Sequence, residues 1–221
     1  MKTAIILGAT GLTGGRLLRL LLEDDRYGTI KLFSRSSVAF SHPKMEEHLG
    51  DLMDMEGFAA HFHAEELFCC IGTTKSKTPD QEEYKNIDYG LPVHAAKHCK
   101  ENGIGTFIVI SALGANPKSS VFYNRVKGEM EEAVLAENIP KTHILQPSLI
   151  GGRRKEKRWG EWIFKQLMKV ANFVLVGSLE KYRSIRPEAI AGSMVWLANH
   201  KYEKKRIESD EIKYLAKILK R

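Results

Sequence analysis

The sequence has few cysteines and no long apolar run. Its 221 residues include three cysteines, and Cys69 and Cys70 are adjacent within an apolar stretch, which fits reduced thiols better than a disulfide framework or a zinc site. No stretch approaches the roughly 20 apolar residues of a membrane span. The apolar start of the chain is too short for a secretory signal because Gly8 ends it. We therefore expect a cytoplasmic protein with no membrane partner.

The sequence also lacks internal repeats and low-complexity linkers. With 43% hydrophobic and 28% charged residues it is typical of a globular protein, and its length suits a single domain over residues 1–221. The net charge of +7 would suit nucleic acid, a membrane surface or a phosphorylated small molecule. The basic cluster within 153–158 has no interleaved aromatic residue, the cluster within 201–206 contains only Tyr202, and neither carries a nucleic-acid-reading motif. We interpret them as solvated and expect no nucleic-acid partner.

Short apolar runs alternate with amphipathic segments along the chain. The runs predict strands at 3–7, 30–33, 66–71, 106–111 and 143–146. The segments between and after them predict helices at 13–22, 55–61, 89–102, 123–137 and 187–199. This order is typical of a doubly wound α/β fold, a Rossmann-like parallel sheet with helices on both faces. Ligands in such folds bind outside the carboxyl ends of the strands.

A glycine-rich turn joins the first predicted strand to the first predicted helix. Residues 8–14 read GATGLTG, a GxxGxxG spacing that differs from the GxGxxG of many dehydrogenases. Glycines let the backbone approach a pyrophosphate closely, and the helix that follows directs unpaired N–H groups at its negative charge. We expect the turn to bind a dinucleotide through Gly8, Thr10, Gly11, Leu12 and Thr13.

The end of the second predicted strand carries a basic residue. An acid about 20 residues past the glycines commonly holds the ribose 2′-hydroxyl of NAD, but this position reads Ser34-Arg35-Ser36. The planar guanidinium of Arg35 can bind a 2′-phosphate, and the Ser34 hydroxyl can contribute a further hydrogen bond. The sequence therefore predicts NADP rather than NAD.

A serine, a tyrosine and a lysine form the candidate catalytic group. Ser111 ends an apolar run, and Tyr123 and Lys127 are four residues apart on a predicted helix, so they share one face. A nearby ammonium favours the phenolate and brings a phenol, with its usual pKa of about 10, toward the working pH. We expect Ser111 to orient a substrate oxygen, Tyr123 to exchange a proton with it, and Lys127 to assist Tyr123 and contact the nicotinamide ribose.

These motifs together resemble the short-chain dehydrogenase/reductase superfamily. The resemblance is to its atypical branch, and in particular to the Tat-interacting, metastasis-suppressor-like oxidoreductases, and it extends to about Asn199. Besides the motifs above, it rests on 67–74, 87–88, Gly114-Ala115, Gly128-Glu129, Gln146-Pro147 and 160–162. It implies that the nicotinamide side is lined by Cys70, Ile71, Gly72 and Thr73. It further implies that Asp51 and Leu52 border the adenine and that Pro147 to Leu149 contact the carboxamide end.

The chain departs from that family at two positions. Asp88 stands where many extended members have an asparagine to which a proton relay is attributed. Gln146-Pro147-Ser148 replaces a common Arg-Pro-Gly, which bears on the cofactor contacts. The family also includes NADPH-binding regulators, so a redox sensor without turnover is an alternative to an enzyme. Nucleotide-sugar epimerase or dehydratase chemistry is a third reading.

Three further expectations concern the remaining segments. Residues 151–180, with Trp159 and Trp162, read as a substrate-side insertion, and the tryptophans either cap a substrate pocket or pack. Residues 209–220 read as a terminal amphipathic helix with Ser209 as its N-cap, which makes a homodimer plausible. Among eight histidines, His94 and His98 are a helical turn apart, but without evident ligand partners besides Cys99 we expect no metal.

Overall fold

A parallel sheet forms the centre of the molecule. The computed structural model describes residues 1–54, 56–151 and 177–219. Within them seven strands pair in the order β3-β2-β1-β4-β5-β6-β7, and every pair is parallel. Their bounds are β1 Lys2–Leu7, β2 Tyr27–Ser34, β3 Met45–Leu49, β4 Glu66–Cys69, β5 Thr106–Ile110, β6 Lys141–Gln146 and β7 Arg206–Glu208.

Helices cover both faces of this sheet and divide its core into two clusters. The described helices are α1 Leu12–Leu22, α2 Gln81–Lys85, α3 Leu91–Glu101, α4 Phe122–Ala136, α5 Pro187–Asn199 and α6 Ser209–Ile218. Apolar residues of α1, α5 and α6 pack on one face, and those of α3 and α4 pack on the other. A π-helical turn, Asn86–Gly90, joins α2 to α3. No helix of the described residues is long and apolar enough to cross a membrane. The predicted doubly wound α/β fold is confirmed.

Three local features differ from the sequence prediction. The structure has two edge strands, β3 and β7, that we did not predict. Their charged residues interrupt the apolar pattern by which a strand is recognised in a sequence. The segment Glu56–His61 is a 3-10 helix rather than an α-helix. Ser209 is the first residue of α6 and not its cap, because Glu208 is the N-cap and the Ser209 hydroxyl contacts that of Ser148 at 2.9 Å.

The strand order locates the crevice in which a ligand is expected. The chain runs outward from β1 to β2 and β3, then returns to the other side of β1 with β4. The order therefore reverses between β1 and β4, and ligands of doubly wound folds bind at this switch point. The backbone N–H of Cys70 donates to the carbonyl of Leu7 at 2.9 Å, which brings the ends of the two strands together there.

A candidate dinucleotide and active site

The glycine turn lies at the switch point, where a side chain would not fit. Gly8 has φ +86°, and a Cβ there would lie 3.0 Å from the carbonyl carbon and oxygen of Cys70. A Cβ on Gly14 would lie 2.2 Å from the carbonyl oxygen of Gly8. Gly11 is the N-cap of α1 and has no side chain to accept a hydrogen bond from the first backbone N–H groups of the helix. These N–H groups, the positive end of the helix dipole, therefore face the turn. The turn thus has the close-packed backbone expected of a pyrophosphate cradle, and the binding itself stays a prediction.

A cleft of about 440 Å³ continues from the glycine turn toward the end of β2. Its walls are the turn, the outer side of α1 with Arg16 and Arg19, and residues 37–40. Arg35 is exposed, and across 1–54, 56–151 and 177–219 no carboxylate pairs with its guanidinium. Ser34 is buried, and its hydroxyl donates to the carbonyl of Ser36 at 2.7 Å. Arg35 is thus open to solvent and its contact with a 2′-phosphate stays a prediction, whereas the Ser34 hydroxyl is used within the turn.

The two residues expected beside the adenine have different surroundings. Asp51 is exposed, and its carboxylate accepts the backbone N–H of Met53 at 3.0 Å. Leu52 is buried in the core cluster with Phe33 and Phe58. The side chain of Leu52 therefore belongs to the core, and its border with the adenine stays a prediction.

The loop after β4 contributes backbone and hydroxyl groups but no reactive thiol. Burial raises the pKa of the Cys69 thiol to about 11 and raises that of Cys70 further. Thr73 donates its backbone N–H to Asp88 at 2.7 Å, and its hydroxyl lies 2.8 Å from that of Thr78. Both cysteines are therefore protonated at neutral pH and do not act as nucleophiles. Ile71 is partly buried and Gly72 is exposed, at the edge of the crevice.

Tyr123 and Lys127 occupy one face of α4, as the spacing predicted. Tyr123 is 41% exposed, whereas Lys127 is 3% exposed and its Nζ lies 2.8 Å from Oδ1 of Asp88. Burial alone would lower the pKa of the Lys127 ammonium, but the carboxylate of Asp88 and then Tyr123 outweigh it and raise that pKa above its usual value. Lys127 is therefore positively charged at neutral pH, and its partner is the buried carboxylate of Asp88. From the sequence, Asp88 was evident only as a departure from the family pattern.

Ser111 has a different arrangement from the one that we expected. It is 3% exposed, and its hydroxyl donates to Oε1 of Glu131 at 2.5 Å. A hydroxyl has one proton, so in this arrangement Ser111 has none left to donate to a substrate oxygen. The structure pairs Ser111 with Glu131 rather than with Tyr123, and its role as the substrate-orienting residue stays a prediction.

Glu131 is a site residue that the sequence reading missed. It is 1% exposed and also accepts Nε2 of Gln146 at 2.9 Å and Nε of Arg206 at 2.6 Å. The carboxylate thus links α4 to the ends of β5 and β6 and to β7. The signal was present, because Glu131 follows Tyr123 and Lys127 at the same four-residue interval and so shares their helix face.

The segment after β6 lies beside this network. Pro147 is buried, and its carbonyl accepts the backbone N–H of Leu113 at 3.0 Å. Ser148 donates its hydroxyl to the carbonyl of Arg183, and Leu149 is 48% exposed. Pro147 and Leu149 therefore lie at a strand end, where the resemblance implies cofactor contacts.

Several expectations fall on residues that the structure does not describe. The basic cluster within 153–158, Trp159, Trp162 and most of the predicted 151–180 insertion lie outside the described residues.

Within the described residues, no group of three or more metal-ligating side chains is assembled. Of the histidine pair considered for a metal, His98 lies 3.3 Å from Glu101 on its own helix.

Comparisons with known proteins identify the family of this chain. The NAD(P)H-binding family matches residues 8–149, which include the glycine turn, Arg35 and the Tyr123–Lys127 pair. The chain is 30% identical over 194 residues to the mitochondrial protein FMP52 of Debaryomyces hansenii, covering 79% of this chain and 82% of that protein. It is 28% identical over 169 residues to protein HTATIP2 of Rattus norvegicus, covering 75% and 69%.

The fungal relative also corrects the expected location. Its name places it in mitochondria, which contradicts the cytoplasmic location that we inferred from the cysteines. The inference was wrong because reduced, buried thiols indicate only that the surroundings do not oxidise them, and they do not distinguish one reducing compartment from another.

A solved structure supports the fold. UDP-glucose 4-epimerase of Thermotoga maritima, solved with UDP-glucose, superimposes with a TM-score of 0.69 at 14% identity, over 99% of this chain and 82% of that one. At that identity the likeness concerns the fold alone, a Rossmann-like domain.

Proposed function

The chain belongs to the NAD(P)H-binding family, and from this we propose that it is an NADP-dependent oxidoreductase that transfers a hydride between the nicotinamide and a carbonyl or alcohol substrate. The observation that carries the proposal is the face of α4, where the exposed phenol of Tyr123 stands beside the buried ammonium of Lys127. The cofactor supplies the hydride acceptor or donor. The protein supplies the proton and the position of the substrate.

The proposed preference for NADP depends on Arg35. The residue is exposed directly after β2, two positions before Ser37, where the chain begins to line the cleft that leads from the glycine turn. A planar guanidinium binds a phosphate with two parallel hydrogen bonds, and an acid that would repel the 2′-phosphate is missing from Ser34 to Ser36. Arg16 serves as a matched control, because it lines the same cleft but already pairs with Glu188 at 3.0 Å.

Calorimetric titration tests this preference. We expect Arg35→Ala to weaken NADPH binding by about 10-fold to 100-fold, in line with the loss of a charge-assisted hydrogen bond, and to leave NADH binding within about twofold. Arg16→Ala is expected to change NADPH binding less. Equal losses for the two cofactors in Arg35→Ala would refute the preference.

The proposed chemistry assigns the proton transfer to Tyr123. In the reducing direction its hydroxyl donates to the substrate oxygen, and in the oxidising direction its phenolate accepts the proton of the alcohol. Lys127 keeps a positive charge next to this proton exchange. The hydroxyl of Ser111 donates its hydrogen bond to Glu131, but its oxygen retains lone pairs that can accept a hydrogen bond from a substrate hydroxyl.

A carbonyl and alcohol panel with NADPH or NADP tests the reaction. We expect Tyr123→Phe to lower turnover by about 10²-fold to 10⁴-fold while NADPH affinity is retained, because the variant lacks only the acid/base group. NADPH binding with no oxidation across the panel, unchanged in Tyr123→Phe, would support a redox sensor instead. Conversion of UDP-sugars without net change in the cofactor would support epimerase chemistry, the reading to which the structural likeness to UDP-glucose 4-epimerase lends fold-level support.

A further inference from the structure

A buried carboxylate joins two parts of the candidate site. Asp88 is 1% exposed and lies in the π-helical turn Asn86–Gly90. Its Oδ1 lies 2.8 Å from Nζ of Lys127, and its Oδ2 accepts the backbone N–H of Thr73 at 2.7 Å. Asp88 thereby connects the helix of Tyr123 to the loop after β4.

The turn itself explains how Asp88 reaches both partners. A π-helical turn has one residue more than an α-helical turn, so the residues before and after it leave the helix in a different phase. The loop after β4 lies close to both partners, because a Cβ on Gly72 would lie at ordinary contact distances of 3.5 Å from Oδ1 of Asp88 and 3.9 Å from Nζ of Lys127. The loop backbone therefore passes directly against the ion pair.

Tyr123 is one of the titratable groups that interact with this ion pair. Besides Asp88 and Tyr123, the described groups that interact with Lys127 or Asp88 include Tyr84 on α2 and Cys69 on β4. Burial raises the pKa of the Tyr84 phenol and raises that of Cys69 to about 11, so both are neutral near pH 7. A second pair between α2 and α4, Lys85 with Glu129 at 3.1 Å, is more exposed and so more screened by water.

We propose that Asp88 is a positioning residue that fixes Lys127 against the loop after β4 and, by cancelling the charge of that ammonium, sets the pH range in which Tyr123 exchanges its proton. A lone ammonium would favour the phenolate strongly, and a carboxylate 2.8 Å from it opposes that effect. Asp88 acts through Lys127 and does not need to touch the substrate. The part of the proposal that concerns catalysis rests on the proposed function of Tyr123, whereas the electrostatic part does not.

Titration of a single phenol tests the electrostatic part. Asp88→Asn has the same shape and removes the charge. The ultraviolet absorbance of tyrosinate, taken as the difference between each protein and its Tyr123→Phe partner, reports Tyr123 alone. We expect the titration midpoint of Tyr123 to fall by about one pH unit or more in Asp88→Asn. An unchanged or higher midpoint overturns the proposal.

A double variant separates charge from structure. In Asp88→Asn with Lys127→Met both charges are gone, and replacing both members of a buried pair is tolerated far better than removing one. We expect the Tyr123 midpoint there to lie within about half a unit of the parent value, because the pair is neutral in both proteins. A midpoint displaced by a full unit or more contradicts the role of charge, and this test holds even where Asp88→Asn alone does not fold.

These measurements need neither cofactor nor substrate. A protein that binds no NADPH or shows no turnover overturns the proposed function and leaves the titration result standing. Where the parent is active, we expect the alkaline optimum for alcohol oxidation to move in the same direction as the midpoint in Asp88→Asn. A lower rate with an unchanged pH profile would mean that Asp88 has a structural role only.

Discussion

Adding one methyl group to the glycine turn tests whether the turn is shaped for a close backbone contact. In Gly14→Ala the new Cβ would lie 2.2 Å from the carbonyl oxygen and 2.8 Å from the carbonyl carbon of Gly8. Ordinary contacts of carbon atoms are about 3.5–4 Å, so the turn or the start of α1 has to move by about 1 Å. The atoms in the way are backbone atoms, and no side-chain rotation relieves the contact.

The size of the effect follows from two opposing contributions. Alanine is favoured over glycine within a helix by about 1 kcal/mol, whereas overpacking a close contact costs about 1–3 kcal/mol or more. The 2.2 Å contact with a backbone atom puts the cost at the upper end of that range, so after the gain in helix propensity is subtracted we expect Gly14→Ala to lower the free energy of unfolding by about 2 kcal/mol. We also expect NADPH affinity to fall by at least about 10-fold, because the displaced carbonyl belongs to the cradle of the pyrophosphate.

Gly192→Ala is the matched control. Gly192 lies within α5, and the nearest atom to its added Cβ is the Cβ of Ala216 at 3.5 Å, an ordinary contact. We expect this variant to be as stable as the parent or up to about 1 kcal/mol more stable, with unchanged NADPH affinity. Urea denaturation and calorimetric titration measure the two quantities. If Gly14→Ala is as stable as Gly192→Ala and binds NADPH as the parent does, the reasoning about the turn is refuted.

Two further predictions concern buried polar groups. Glu131→Gln should lower the free energy of unfolding by about 2–4 kcal/mol in denaturant titrations, because Gln146, Arg206 and Ser111 all donate to this carboxylate. The exposed control Glu132→Gln should stay within about 0.5 kcal/mol of the parent. Equal losses in the two variants would contradict the network. Burial lowers the pKa of His143 below its usual 6.5, so its contribution to stability is present above that pH and lost as pH falls through the folded-state pKa. The parent should therefore lose stability on acidification more steeply than His143→Asn, by up to about 1.4 kcal/mol per pH unit, and parallel curves would refute this.

Local patterns in the sequence account for much of the site. The position of the glycines between an apolar run and a helix predicted the cradle at the end of β1, and the four-residue interval of Tyr123 and Lys127 predicted their shared face. Both follow from periodicity within one element. The same periodicity would also have identified Glu131.

Other features depend on contacts between distant segments, which no local pattern encodes. The ion pair of Asp88 and Lys127 requires the π-helical turn to face α4, and the sequence alone showed only an aspartate where many related proteins have an asparagine. Ser111 was placed correctly at a strand end, but its bond to Glu131 depends on how α4 packs on the sheet. The edge strand β7 was missed because it is three residues long and two of these are charged.

A crystal structure with NADPH bound is the most direct test of the account. We expect the pyrophosphate at the glycine turn against the start of α1, the 2′-phosphate within hydrogen-bond distance of the Arg35 guanidinium, and the nicotinamide beside Tyr123 and Lys127. A nucleotide bound elsewhere, or a 2′-phosphate directed away from Arg35 with the nicotinamide remote from Tyr123, would contradict it.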